Sequence, residues 1–495
     1  MQTTGSINDM VQNNGPIRTV GVIGMGYVGV PSAVLFADSL QFEKVYGFQR
    51  NSESSGYKIK MLNSGVCPLK GEEPGLENLL KKVVAEKKFE CTPDFSKISE
   101  CDAVTLAIQT PFKNSRDLVP DFTPLTEGLK NTGKYLKPEM LVVLESTITP
   151  GTTEGMAKEI LEEESGLTAG EDFFLAHAPE RVMVGRLVKN IREHDRVIGG
   201  IKSFYRDNSG KKVILDGINS PSTKRAMELY GPVLTKGKII PMSATAAEVT
   251  KTTENTFRDL QIAAANQLSL YCEAMGINFY DVKKGVDSLK GEGITRAMLW
   301  PGAGVGGHCL TKDTYHLERG VKMLGSDYLD FPDGHESLYV LSREINDFMP
   351  KHMLHLTKSA LKQAGKSLKG SRIALLGWAF LANSDDARNT PSGLFYEDAI
   401  AAGAEVRVHD PWIDPKNTPQ IPHGLDKDLS KALKGADAVV VFTGHKDYCE
   451  LIPSGVKKIC GSQHPAIIDG RNVLLPQQWI KEGFIYKGIG RGDIL

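Results

Sequence analysis

Short apolar, β-branched runs recur along the chain, and stretches with helical spacing separate them. The first series is 19–23 (TVGVI), 44–48 (KVYGF), 103–108 (AVTLAI), 141–147 (LVVLEST) and 173–179 (FFLAHAP). Unbroken apolar runs of this length suit strands buried on both faces. Their alternation with helices implies βαβ units, hence a parallel sheet with right-handed crossovers. A second series begins late: 372–380 (RIALLGWAF), 405–411 (EVRVHDP), 438–445 (AVVVFTGH) and 466–472 (AIIDGRN). The pattern predicts an α/β protein with two Rossmann-like, doubly wound parallel-sheet domains, at 18–235 and 368–495.

The region between them, 236–367, reads differently. Residues 245–275 contain neither Gly nor Pro, and Gly276 follows at once. Thr245 and Glu248 have capping-box spacing, so start and stop signals bracket one helix. At roughly 1.5 Å per residue it is about 45 Å long, enough to join two domains or form a dimer spine. Residues 349–368 predict a further helix leading into the last domain.

Composition narrows the class. Of 495 residues, 41% are hydrophobic and 24% charged, ordinary for a globular chain of several domains. With 59 Lys plus Arg against 60 Asp plus Glu, the net charge is −1, which offers no global field for nucleic acid or an anionic membrane. No apolar run approaches the roughly 18–20 residues of a membrane span. The first 17 residues are polar and lack the apolar core of a secretory signal; they read as a disordered tail. Seven scattered cysteines, an odd number without a CxxC pair, argue against a disulfide scaffold or a zinc site and for a reducing cytoplasm.

The first motif with chemistry is Gly24-Met25-Gly26-Tyr27-Val28-Gly29, placed after a strand and opening a helix. Gly24 permits the tight turn, Gly26 lets the backbone approach a pyrophosphate, and Gly29 allows close helix–strand packing. The amides of Tyr27 and Val28 belong to the same turn. An NAD site usually places an acidic residue at the end of the second strand. Gln49 and Arg50 stand there instead. Gln49 suits a ribose hydroxyl and Arg50 suits a 2′-phosphate, so NAD is expected and NADP stays open.

A second motif runs from Pro301 to Asp313 (PGAGVGGHCLTKD). Gly304, Gly306 and Gly307 allow backbone amides to come close to a ligand, and Cys309 follows them. A thiol leading into a helix gains nucleophilicity. Asp313 stands one helical turn further on. A buried structural cysteine is the ordinary alternative, and it is preferred for the other six. His308 reads as a loop-packing residue rather than a base. On the long helix Lys251, Asn255 and Arg258 recur at i, i+4 and i+7, and so project from one face. Among so much Ala, Leu and Ile, a buried lysine there calls for an anionic partner such as a substrate oxyanion. Glu180-Arg181, Thr110 and Glu145-Ser146-Thr147 follow strand ends, where parallel sheets meet ligands. They are candidate positioning or cofactor contacts.

Together these segments resemble the nucleotide-sugar 6-dehydrogenases, the family of UDP-glucose and UDP-N-acetylhexosamine dehydrogenases, from about residue 18 to 490. GVIGMGYVG, ESTITPGTTE, APERVMVGR, KTTENTFRDLQIAAANQLS, GAGVGGHCLTKD, REINDFMP, DDARNTPS and IIDGRN carry the likeness, in the family's order. The resemblance implies an N-terminal NAD domain, a homodimer built on the central helix, and a C-terminal domain that helps to hold UDP. It implies a four-electron oxidation of a sugar C6 hydroxyl to a carboxylate with two NAD. On that basis Cys309 is the nucleophile, Asp313 its acid/base partner, and Lys251 and Asn255 hold oxyanions and a water. Glu180 and Thr110 then assist hydrolysis, and Arg388 lies near the nucleotide phosphates.

Three positions depart from the family. Val184 replaces a second glutamate of the UDP-glucose branch, Leu381 replaces a lysine, and Gln49 replaces the acidic residue. APERVMVGR and the TFR at 256–258 look like the N-acetylhexosamine branch, which makes an acetamido sugar the expected substrate. The alternatives are a UDP-glucose dehydrogenase, a two-electron hydroxyacid or 6-phosphogluconate-type dehydrogenase, and a catalytically silent nucleotide-sugar sensor.

Overall fold

The computed structural model describes residues 15–69, 73–111, 119–206, 212–292, 297–307, 309–324, 337–418, 421 and 424–494. Two compact units result. The first runs to Glu254 and takes in the segment that begins at Tyr315; the second begins at Asn255 and holds the C-terminal part. The central region 236–367 is therefore shared between the two units.

The first unit is built on β1 (Thr19–Ile23), β2 (Lys44–Phe48), β3 (Phe89–Thr92), β4 (Ala103–Leu106), β5 (Leu141–Leu144), β6 (Phe174–His177) and β7 (Arg196–Gly200). A small antiparallel ribbon, β8 (Ser203–Arg206) with β9 (Lys212–Leu215), precedes β10 (Ile239–Ser243). The main sheet has the order β10-β7-β6-β5-β4-β1-β2-β3. It is parallel except where β7 meets β6 antiparallel, pairing His177 with Gly199. Val20, Val22, Val45 and Val143 pack on one face with the helix Gly29–Asp38. Val104, Leu106, Val142 and Leu144 pack on the other with Leu125 and Leu129. Burial on both faces explains why these strands read as unbroken apolar runs.

The expected strands are present: β1 and β2 fill their runs, while β4, β5 and β6 end two or three residues before theirs do. β3, β7, β8, β9 and β10 lie outside the predicted set. Packing begins earlier than the expected tail boundary: Ile17 is buried in the core, and Arg225 donates to the Gly15 carbonyl at 2.8 Å. The rest of that tail, residues 1–14, lies outside the described residues.

In the second unit β11 (Arg372–Leu376), β12 (Glu405–His409), β13 (Leu425–Asp426), β14 (Ala438–Val441), β15 (Ala466–Asp469) and β16 (Ile485–Gly488) form an all-parallel sheet. Its order is β13-β12-β11-β14-β15-β16. The predicted helix at 349–368 is longer than its sequence signal: it spans Leu338–Gln363, starts at a Ser337 cap and carries Pro350 inside it.

The long helix spans Ala244–Ala274, one residue from the predicted start and end. Its capping box does not form. Ser243 Oγ accepts from the Ala246 amide at 3.3 Å, while Glu248 turns away to accept from the amides of Gly151 and Thr153 and from the Thr153 hydroxyl. A tertiary partner with three donors outcompetes the local cap. Among the described residues, no helix is long and apolar enough to cross a membrane, and no disulfide joins any of the seven cysteines.

Candidate active site

At the carboxyl end of β1 the chain makes the predicted glycine turn. Gly24 has φ +98°, and a Cβ there would lie 2.6 Å from the Ala107 carbonyl. A Cβ on Gly29 would lie 1.9 Å from the Gly24 carbonyl, so the turn and the helix start lock together. Gly26 faces open space. Tyr27 and Val28 lead into the helix, where the Val28 carbonyl accepts from Ser32 at 3.1 Å. A cavity of about 460 Å³ opens here, lined by Gly24, Gly26, Gln49, Arg50 and Ile108 among others. It sits where β1 lies between β2 and β4, the point at which the strand order reverses. Gln49 Oε1 accepts from the Met25 amide at 3.3 Å and its Nε2 donates to Ser55 Oγ at 3.0 Å. Arg50 pairs with Glu127 at 2.6 Å on the exposed rim.

Further along the same sheet edge, Thr110 and Thr147 meet: the Thr110 hydroxyl donates to the Thr147 carbonyl at 2.6 Å. Glu180 follows β6 and is buried. One of its oxygens accepts from the Arg181 amide at 2.9 Å, and the other is held by Arg196 Nη1. Arg196 Nη2 reaches Glu145 Oε1 at 3.0 Å, which also accepts from the Tyr230 hydroxyl at 2.8 Å. The guanidinium lies 3.8 Å from the Tyr230 ring centroid. Burial, reinforced by Glu180, raises Glu145 to about 7 against the pull of Arg196 and Tyr230. Arg181 donates to the Asp195 carbonyl at 2.7 Å and approaches Glu254 at 3.9 Å. Lys251 is buried on the long helix, one turn before Asn255. Arg258, from the same predicted stripe, is exposed.

In the second unit Cys309 is half-buried. Its carbonyl accepts from the amides of Lys312 at 3.0 Å and Asp313 at 2.9 Å, a turn that delivers the chain into the helix Asp313–Leu324. Asp313 is fully buried; Asn255 Nδ2 donates to its Oδ2, and Lys312 Nζ lies 3.2 Å from its Oδ1. His308 lies outside the described residues.

The loop glycines have a packing reason that the sequence does not show. A Cβ on Gly304 would lie 2.9 Å from Pro391 Cβ, on Gly306 2.5 Å from Phe380 Cβ, and on Gly307 2.9 Å from the Phe380 ring. Their missing side chains make room for Pro391 and Phe380. The Gly307 amide donates to the Arg388 carbonyl at 2.8 Å, and the Arg388 guanidinium pairs with Asp386.

Profiles of the UDP-glucose/GDP-mannose dehydrogenase family match the chain three times. The NAD binding domain covers residues 18–213, the central domain 245–331 and the UDP binding domain 374–476. The chain belongs to that family. It is an NAD-dependent nucleotide-sugar dehydrogenase.

The dehydrogenase is 35% identical to the UDP-N-acetyl-D-mannosamine dehydrogenase of Pyrococcus horikoshii, over 96% of this chain and 100% of that one. It is 32% identical to the enzyme of the same name from Campylobacter jejuni, over 89% and 98%. Among solved structures, the NDP-N-acetyl-D-galactosaminuronic acid dehydrogenase of Methanosarcina mazei shares 64% identity, with 99% of each chain covered and a TM-score of 0.86. The UDP-D-ManNAc dehydrogenase structure from Pyrococcus horikoshii shares 34%, over 96% and 100%, at a TM-score of 0.80.

The crevice of the dehydrogenase fits NAD on its own geometry. Gly26 presents backbone without a side chain to the open cavity, and the helix that begins at Gly29 points its amide end there. Sequence reasoning did not find Arg196, Tyr230 or Lys312. An arginine opening an otherwise apolar strand (RVIGG) was the available signal, since a buried guanidinium requires carboxylate partners.

Proposed function

We propose that this dehydrogenase oxidises the C6 hydroxyl of a UDP-N-acetylhexosamine to the carboxylate, with the sugar acid carried as a thioester on Cys309. Support for the acetamido sugar comes from the relatives, named as acting on N-acetylmannosamine or N-acetylgalactosaminuronic acid nucleotides. The observation that carries the chemistry is the Cys309 turn, with Asp313 buried one turn later between Asn255 and Lys312.

NAD, when bound, accepts two electrons in each of the two oxidations. In the first, a water on Asp313 takes the C6–OH proton while Lys251 opposes the negative charge on that oxygen. The Cys309 thiolate then adds to the aldehyde carbon, forming the C–S bond of a thiohemiacetal. Loss of the C6 hydrogen with its electron pair, as hydride, and of the hydroxyl proton leaves the thioester. Water, steered by Glu180 and Thr110, adds to the thioester carbon and the C–S bond breaks. Uronate and the Cys309 thiol are released. Asn255 keeps Asp313 oriented through both halves.

Gly24, Gly26, Tyr27, Val28 and Gly29 hold the dinucleotide phosphates, with Gln49 at the adenosine ribose. Arg388 supports the nucleotide phosphates of the substrate. The working form is a homodimer through the long helix, consistent with the exposed Phe257 and Tyr271 along it. Cysteines without disulfides suit a cytoplasmic enzyme.

The test is stoichiometry. UDP-N-acetylmannosamine, -glucosamine and -galactosamine are each incubated with excess NAD, and reduced cofactor is counted against uronate. Two per uronate is expected with at least one epimer. One per oxidised sugar, without acid, overturns the thioester route in favour of a two-electron dehydrogenase.

A further inference from the structure

The adenosine end of the crevice carries an unusual set of side chains for an NAD site. Gln49 stands where a carboxylate would take both ribose hydroxyls and repel a phosphate. It braces the site from within, bridging the Met25 amide and Ser55 Oγ. Ser52 Oγ lies 2.7 Å from Ser55 Oγ and 3.4 Å from Ser54 Oγ, a small nest of hydroxyls. Lys58 Nζ donates to the Met25 carbonyl at 3.0 Å, beneath the same turn. Gln49, Arg50, Ser54, Ser55, Lys58 and Glu127 all line one cavity.

The charges decide the reading. Burial holds the Lys58 ammonium below its ordinary range, the condition that a nearby dianion reverses. Arg50 is engaged with Glu127, yet that pair is 64% and 51% exposed. An exposed pair contributes about 0–1 kcal/mol, so a phosphate can take over the guanidinium. A guanidinium fork, an ammonium and hydroxyls are the donors that a phosphate monoester needs.

We infer that this end of the crevice accepts a 2′-phosphate on the adenosine ribose, through Arg50, Lys58 and the Ser54–Ser55 hydroxyls, so that the dehydrogenase uses NADP as well as NAD. Gln49 permits it by being uncharged. Arg50 and Lys58 are specificity residues and take no part in the chemistry at C6.

The test separates binding from turnover. Binding of 2′,5′-ADP and 5′-ADP to the full-length protein is measured by calorimetry, without sugar. A preference of at least about fivefold for 2′,5′-ADP is expected from one added charge-assisted contact. Arg50→Ala removes the preference, Gln49→Glu reverses it, and Glu127→Gln, which frees Arg50, strengthens it. Circular dichroism checks that each variant folds. With a turned-over sugar, the NADP to NAD ratio of kcat/KM falls about tenfold or more in Arg50→Ala, equivalent to the loss of one such contact. Equal or weaker binding of 2′,5′-ADP, or a preference that survives Arg50→Ala, overturns the inference. Because the binding arms need no sugar, their failure leaves the proposed oxidation standing, and failure of that oxidation leaves them readable.

Discussion

Arg196 meets Glu145 at 3.0 Å inside the first sheet and, with its other terminal nitrogen, holds Glu180 at the strand edge. One guanidinium thus ties a fully enclosed carboxylate to the one proposed to steer water. The arrangement gives Glu180 a fixed direction, since a carboxylate shared between a buried arginine and the Arg181 amide has few other rotamers.

Arg196→Ala leaves both carboxylates without a cation. Breaking a buried pair in this way costs about 3–5 kcal/mol. The thermal midpoint is expected to fall by roughly 10 °C. A midpoint within a degree of the parent would show that the triad carries no such energy.

Stability depends on pH through the same cluster. Glu145 is raised to about 7, chiefly by burial, and faces Arg196, Glu180 and Tyr230. Its Oε2 has no donor among the described residues, which a neutral carboxyl tolerates better than a carboxylate. A folded-state value above the unfolded one means stability fully present near pH 4.5 and lost as pH climbs through 7. His177, held down to about 3 by burial, acts oppositely: its share is present above 6.5 and is lost as pH falls toward 3. The two windows overlap between about 4.5 and 6.5, where the effects oppose each other. Glu145→Gln should make stability rise more steeply with pH across that window in thermal scans; an unchanged slope there argues against this titration.

Cys309→Ser should abolish uronate formation, a drop of roughly 10³-fold or more, because an alcohol at this position is a far weaker nucleophile toward the aldehyde. Intact-protein mass spectrometry of slowed variants, such as Glu180→Gln, should show the parent mass plus one nucleotide-sugar acyl group. Retained acid production in Cys309→Ser would remove the covalent step.

Asn255→Ala takes away the side-chain amide that donates to the buried Asp313. Removing one such orienting donor near a reacting group lowers kcat by roughly 10²-fold. KM for the nucleotide sugar should move much less. A proportional rise in KM at constant kcat would assign Asn255 to substrate binding instead.

Gly306→Ala tests the packing reason for the glycine loop. The new methyl would stand 2.5 Å from Phe380 Cβ and 2.9 Å from Pro391 Cδ, neither at the end of a flexible chain. Overpacking of this kind costs about 1–3 kcal/mol. Calorimetric unfolding would read the loss, and a midpoint equal to the parent's would remove this reason for the glycine.

The sequence by itself determined what is local. A glycine turn between a strand and a helix has one geometry, and unbroken apolar runs alternating with helices have few alternatives to a doubly wound sheet. The long helix declared itself by thirty-one residues without a breaker, and it forms over Ala244–Ala274. The turn from Cys309 to Asp313 belongs here too, because one helical turn fixes their spacing. Tertiary structure decided whatever depends on residues far apart in the chain. Glu145 and Arg196 meet across 51 positions only because β7 runs against β6. Glu248 left its cap because Gly151 and Thr153, 97 and 95 positions away, offered better donors. The loop glycines owe their smallness to Phe380 and Pro391, which no local pattern places beside them. Periodicity and turn chemistry are properties of neighbours along the chain, whereas the choice of partner for a buried charge or a missing methyl is settled by what the folded core brings alongside.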